Sequence, residues 1–170
     1  GIKFKVFESN AKEVELNYAS PVKLVKHNSK IKALTVAEKF PGKIIIAADT
    51  VVYLDGFVFH KPKDNAEAIK YLKILSGRVH TVYTGICIIN TRNGETLIDC
   101  EKTKVHFREL QEQEIKYYVK NYSPLDKAGA YGIQEDFGCL FIKKISGDYY
   151  NVVGLPLTRL YGNLLKLKDK

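Results

Sequence analysis

The sequence predicts an α/β fold, a mixed sheet flanked by helices, on three observations. The run Lys43-Ile-Ile-Ile-Ala-Ala-Asp49-Thr50 is apolar and isoleucine-rich until its last two residues, the pattern of a strand buried on both faces. Two longer strand-like runs, Val79 to Asn90 and Leu97 to Phe107, are joined by the turn Thr91-Arg-Asn-Gly94 and form a meander arm. Around them lie stretches with apolar residues at helical spacing, bounded by Ser-Pro, Asp and Gly signals.

Composition narrows the class. A chain of 170 residues with 45% hydrophobic residues is expected to build one domain, or two lobes sharing one sheet. No run of about eighteen apolar residues occurs, and Gly1-Ile-Lys-Phe-Lys5 has no signal-peptide character, so a soluble, cytoplasmic protein is expected. Cys87, Cys100 and Cys139 are dispersed and odd in number, which argues against a disulfide framework or a zinc knuckle. The net charge of +8 comes from Lys and Arg scattered among acids. A basic surface with a few lysines lining a polyanion site therefore fits better than dedicated nucleic-acid binding. No methionine is present, so Gly1 is not expected to be the native start.

In chain order, residues 1–18 alternate weakly (Phe4, Val6, Val14, Leu16), carry Glu8, Glu13 and Glu15, and are expected to be extended with a turn at Ser9-Asn10. Ser20-Pro21 opens a helix that reaches Lys39, with Leu24, Ile31 and Leu34 as its apolar stripe and Lys32 beside that stripe. After the central strand, Val51–Leu54 and Phe57–Phe59 flank Asp55-Gly56, a hairpin signal, and His60-Lys61-Pro62 follows. Asp64 caps a helix carrying Ile69, Leu72 and Leu75 and ending at Ser76-Gly77; another covers Gln111 to Lys120 and closes at Ser123-Pro124. Asp126-Lys-Ala-Gly-Ala-Tyr-Gly-Ile-Gln134 is an irregular, glycine-containing loop with a charge pair and an amide. Gly138 to Ile145 is expected to be a further buried strand, Ser146-Gly-Asp148 a turn, and the chain after Pro156 an amphipathic helix with a basic tail.

The residues leave the chemistry open. There is no phosphate-binding glycine loop of the GxxxxGK[ST] or GxGxxG kind, no HExxH and no GxSxG. Asp49 fits a turn cap as well as a metal ligand or general base. Lys32 and Lys61 fit plain surface as well as phosphate contacts. His80 and His106 alternate with apolar residues and read as structural. A strand-end carboxylate, an upstream glutamate and lysines near turns together suit a metal-assisted phosphate site.

Taken together and in order, Ala-Ala-Asp49-Thr50, Lys61-Pro, Leu75-Ser-Gly, Asp126–Gln134 and Asn151-Val-Val-Gly-Leu-Pro156 resemble the Maf family, the septum-formation-inhibitor-like nucleoside triphosphate pyrophosphatases. The resemblance spans the chain. It implies an elongated mixed α/β fold with two lobes around a cleft, often paired as a homodimer. It also implies hydrolysis of the α–β phosphate bond of nucleoside triphosphates with Mg²⁺ or Mn²⁺. By motif, Asp49 would be the metal-linked carboxylate or base, Glu13 would complete the metal site, and Lys32 and Lys61 would hold phosphates. Thr50, Gln134, Asp126 and Lys127 would lie at the substrate. The forms of the Asp49 and 126–134 motifs resemble the branch acting on dTTP and UTP. Family members begin with a strand and a serine- and arginine-containing phosphate loop. This chain starts after that point, so an amino-terminally incomplete version of a competent enzyme is expected. A non-catalytic nucleotide-binding regulator of cell division on the same scaffold is the alternative.

Overall fold

The computed structural model describes residues 2–14, 20–135 and 137–168. Its elements are α1 (Pro21–Ala37), β1 (Ile44–Leu54), β2 (Phe57–Phe59), α2 (Asn65–Leu75), β3 (Val79–Asn90), β4 (Thr96–Phe107), α3 (Glu112–Tyr122), β5 (Ile142–Ser146), α4 (Tyr149–Val153) and α5 (Leu157–Lys168). The strands form one open sheet in the order β2-β1-β3-β4-β5, flanked by helices. The α/β class holds. Every described pairing is antiparallel, so the parallel part of a mixed sheet does not occur among the described residues.

Local chemistry explains the elements. Pro21 occupies the first turn of α1 after an extended Ser20, where a missing N–H costs nothing. Asp64 accepts from the Glu67 N–H and so caps α2, and the Glu114 side chain accepts from the Gln111 N–H at the start of α3. Asp55 and Gly56 both take positive φ, as a two-residue hairpin turn matched to strand twist requires.

Three expectations are corrected. Asp49 does not end its strand: β1 continues through Val51–Leu54 into the hairpin, and Asp49 lies mid-strand, paired with Gly85. Nor is the isoleucine run buried on both faces, because Ile44 and Ile46 are exposed while Ile45 is buried. The polar pair Asp49-Thr50 interrupts the apolar run without breaking the strand, since period-2 alternation sends each side chain to a different face. Residues 138–141 form a 3₁₀ turn and only Ile142–Ser146 is strand, an edge strand with Lys143 and Lys144 exposed. The described residues 2–14 contain no strand, and the expected extension through Glu15 and Leu16 lies outside the described residues.

Helix α1 covers one face of the sheet. Its buried stripe is Leu24, Val25, Asn28, Ser29 and Ala33, whereas Leu34 is exposed, contrary to the expected stripe. Leu24 and Val25 are fully buried, worth about 2 kcal/mol each relative to exposure. The opposite face carries two separate apolar clusters. In one, Val52, Leu54, Val82, Val105 and Phe107 pack against α2, α3 and the 128–131 segment; in the other, Ile86 and Ile88 pack against Leu160 and Leu167 of α5. A polar band divides them: Thr50, Thr84 and Thr103 on three adjacent strands, tied to Asn151 of α4.

Candidate active site

A cavity of about 670 Å³ opens where this band reaches β1. Strand β2 pairs only with Val52–Leu54, so the outer edge of β1 beside Asp49 has no strand partner among the described residues. All eight residues singled out from the sequence line this one cavity: Glu13, Lys32, Asp49, Thr50, Lys61, Asp126, Lys127 and Gln134.

The tightest group is on the α1 face. The Lys32 ammonium lies 2.6 Å from Asp49 Oδ1 and 3.0 Å from Glu13 Oε1. Asn28, one turn before Lys32, donates to Asp49 Oδ2 at 3.3 Å and to the Val14 carbonyl, and accepts from the Val14 N–H. Asn28 thereby fastens the segment bearing Glu13 to α1. This reach depends on Gly85, the cross-strand neighbour of Asp49: a Cβ there would stand 2.3 Å from the Val25 carbonyl oxygen, so only glycine lets α1 lie against the sheet.

Asp49 is 6% exposed. Burial raises its carboxyl above the ordinary carboxylate value, and the Lys32 ammonium opposes that rise. Burial alone would lower Lys32, but the Asp49 and Glu13 carboxylates outweigh it and hold its pKa above that of a free lysine. One ammonium between two carboxylates leaves a net charge of −1. Oxygen donors of this kind suit a hard divalent cation, which favours carboxylates and keeps several waters. Among the described residues no group of three or more His, Cys, Asp or Glu side chains could hold a metal ion. The protein's share of such a site would be Glu13 and Asp49, the remaining positions falling to water and phosphate oxygens.

Thr50 points to the other face. The Thr84 hydroxyl donates to the Asn151 carbonyl at 2.9 Å, and a hydroxyl has one hydrogen, so in its 2.9 Å contact with Thr50 it must accept. Thr50 therefore presents only lone pairs to the cavity. Asn151 donates to the Val82 carbonyl and to Thr103, which joins β3 and β4 behind the site.

The third wall is the 126–135 loop. Lys127 pairs with Asp126 at 2.8 Å and with Glu135 at 2.6 Å, and the buried Tyr118 hydroxyl donates to Glu135 at 3.2 Å. Lys61 and Gln134 are exposed at the cavity. His80 is buried and bonded to Tyr131, as expected of a structural histidine; His106 is partly buried, with an unpartnered Nε2. Asn28, Thr84 and Glu135 escaped sequence reasoning, and Asn151 entered it only as the first residue of a motif. The place of Asn28 on the buried stripe of α1 shows only once that helix lies against the sheet.

The profile of the Maf-like protein family matches residues 1–167. The chain belongs to the Maf family. Among curated Maf relatives, the dTTP/UTP pyrophosphatase of Thermosipho melanesiensis is 50% identical over 160 residues, covering 94% of this chain and 84% of the relative. That of Dictyoglomus turgidum is 47% identical over 161 residues, covering 94% and 83%. That of Thermoanaerobacter sp. is 46% identical over 170 residues, covering 99% and 88%. In this Maf chain the five motifs fall on β1, the β2–α2 link, the end of α2, the 126–134 loop and α4 with its exit.

Proposed function

We propose that this protein is a nucleoside triphosphate pyrophosphatase acting on dTTP and UTP, releasing the monophosphate and pyrophosphate with Mg²⁺ or Mn²⁺. The observation that carries this reading is the convergence of Glu13 and Asp49 on the Lys32 ammonium at a cavity lined by Lys61 and Lys127. The relatives' names supply the substrates. Held by Glu13 and Asp49, the cation would neutralise phosphate charge. Asp49, raised in pKa by burial, takes a proton from water as the water oxygen bonds to the α phosphorus and the bond to the bridging oxygen breaks. Lys32 and Lys61 hold phosphoryl oxygens, and their positive charge steadies the departing pyrophosphate. The family resemblance also supports a cytoplasmic homodimer. In the chain itself, no helix among the described residues is long and apolar enough to cross a membrane.

The test is pyrophosphate release from a nucleotide panel with Mg²⁺ or Mn²⁺. Turnover of dTTP and UTP is expected, and Asp49→Asn should lower it about a hundredfold or more. Unchanged turnover in Asp49→Asn, or none in the wild type, would overturn the assignment.

A further inference from the structure

We infer that the ion pair Lys127–Glu135 reads the base, recognising the neighbouring carbonyl and ring N–H of a pyrimidine-2,4-dione, an inference that rests on the dTTP/UTP reading of this cavity. An ammonium has three hydrogens, and among the described residues Lys127 commits two of them, to Asp126 and Glu135. One remains for a ligand. Glu135 accepts from Lys127 on Oε1 and from Tyr118 on Oε2, and each oxygen keeps lone-pair capacity. A donor and an acceptor thus stand side by side, 2.6 Å apart, on the cavity wall. Adjacent groups on one ring edge need that arrangement.

Thymine and uracil present a carbonyl beside N3–H, so the ammonium meets the carbonyl and the carboxylate meets the N–H. Cytosine presents an amino group beside a bare ring nitrogen. Donor would then face donor, and the carboxylate would face a lone pair. A site that covers polar groups so mismatched with a ligand rejects the wrong substrate. Guanine shares the carbonyl and N–H pattern, so this pair separates keto from amino bases, not small from large ones.

The pair is held in place from below. Tyr118 is fully buried and wedged against Phe137 and Phe141, which fixes the hydroxyl that orients Glu135. A Cβ on Gly132 would come within 2.8 Å of Glu135 Cδ and 3.0 Å of Lys127 Cε, so the bare backbone makes room for the pair to close. Asp126 restrains the ammonium from the other side.

The discriminating variant is Glu135→Gln, whose amide can turn its NH₂ toward the bare nitrogen of cytosine. The kcat/KM ratio of dTTP over dCTP, and the ratio of their affinities by calorimetry, are measured for the wild type and for Glu135→Gln, with melting curves to verify folding. Both ratios should fall about tenfold or more in the variant, through weaker dTTP and stronger dCTP. Tyr118→Phe, which frees Glu135 without neutralising it, should give a smaller fall. Equal losses on both nucleotides, leaving the ratios unchanged, would overturn the inference. A wild type that turns over no dTTP would sink the proposed function instead, and the calorimetric ratios would still decide whether Glu135 reads the base.

Discussion

Asp49 carries opposing influences that can be separated by titration. Burial raises its pKa above the ordinary value near 3.8, Lys32 and Asn28 lower it, and Glu13 raises it. Replacing Lys32 by Gln removes the largest lowering influence, so the Asp49 midpoint should move further up. Glu13→Gln removes a like charge and should move it down. Carboxyl carbon NMR shifts of metal-free protein against pH would show this; shifts of the same sign in both variants would contradict the pairing. The site was legible at this scale only in part. Asp49, Lys32 and Glu13 stand out through motif order, but Asn28 looks like an ordinary helix residue until α1 is placed against β1. Glu135 likewise acquires meaning only from Lys127 and Tyr118, which the loop and α3 bring to it.

Elements α1, α2, β3, β4 and α3 could be read within a few residues because periodicity and capping are local. The course of β1 could not, since a charged residue inside an apolar run resembles a terminus until a helix supplies its partner. The close approach of α1 to β3 is the packing feature on which the site depends. Gly85→Ala should cost about 2–3 kcal/mol by overpacking, with a larger loss of activity as Asn28 and Lys32 are pushed from Asp49. Gly162 in α5 is the contrast: nothing lies within 4 Å of its Cβ position, so Gly162→Ala should stabilise by roughly 0.5–1 kcal/mol. Denaturant melts of both variants check the pair.

For the whole molecule, stability should depend on pH through His80. Burial, aided by the charge of His106, lowers its pKa from the usual 6.5 to about 3. A depressed folded pKa means that the unfolded chain takes up the proton first, so the stability is complete above pH 6.5 and is lost as pH falls toward 3. The loss between pH 7 and pH 5 should be about 2 kcal/mol, and His80→Gln should flatten it. Chemical denaturation at both pH values measures this. No stretch of sequence announced that sensitivity, because it comes from burying an imidazole between β4 and the Tyr131 loop. The sheet register has a bearing on folding order as well. β1–β2 and β3–β4 are local hairpins, quick to close, while β1 and β3 pair across a long loop that includes α2. Asp49 belongs to the first hairpin and Thr84 to the second. Neither alone contains the cavity, so the arrangement proposed to hold a nucleotide should form only when one hairpin docks on the other.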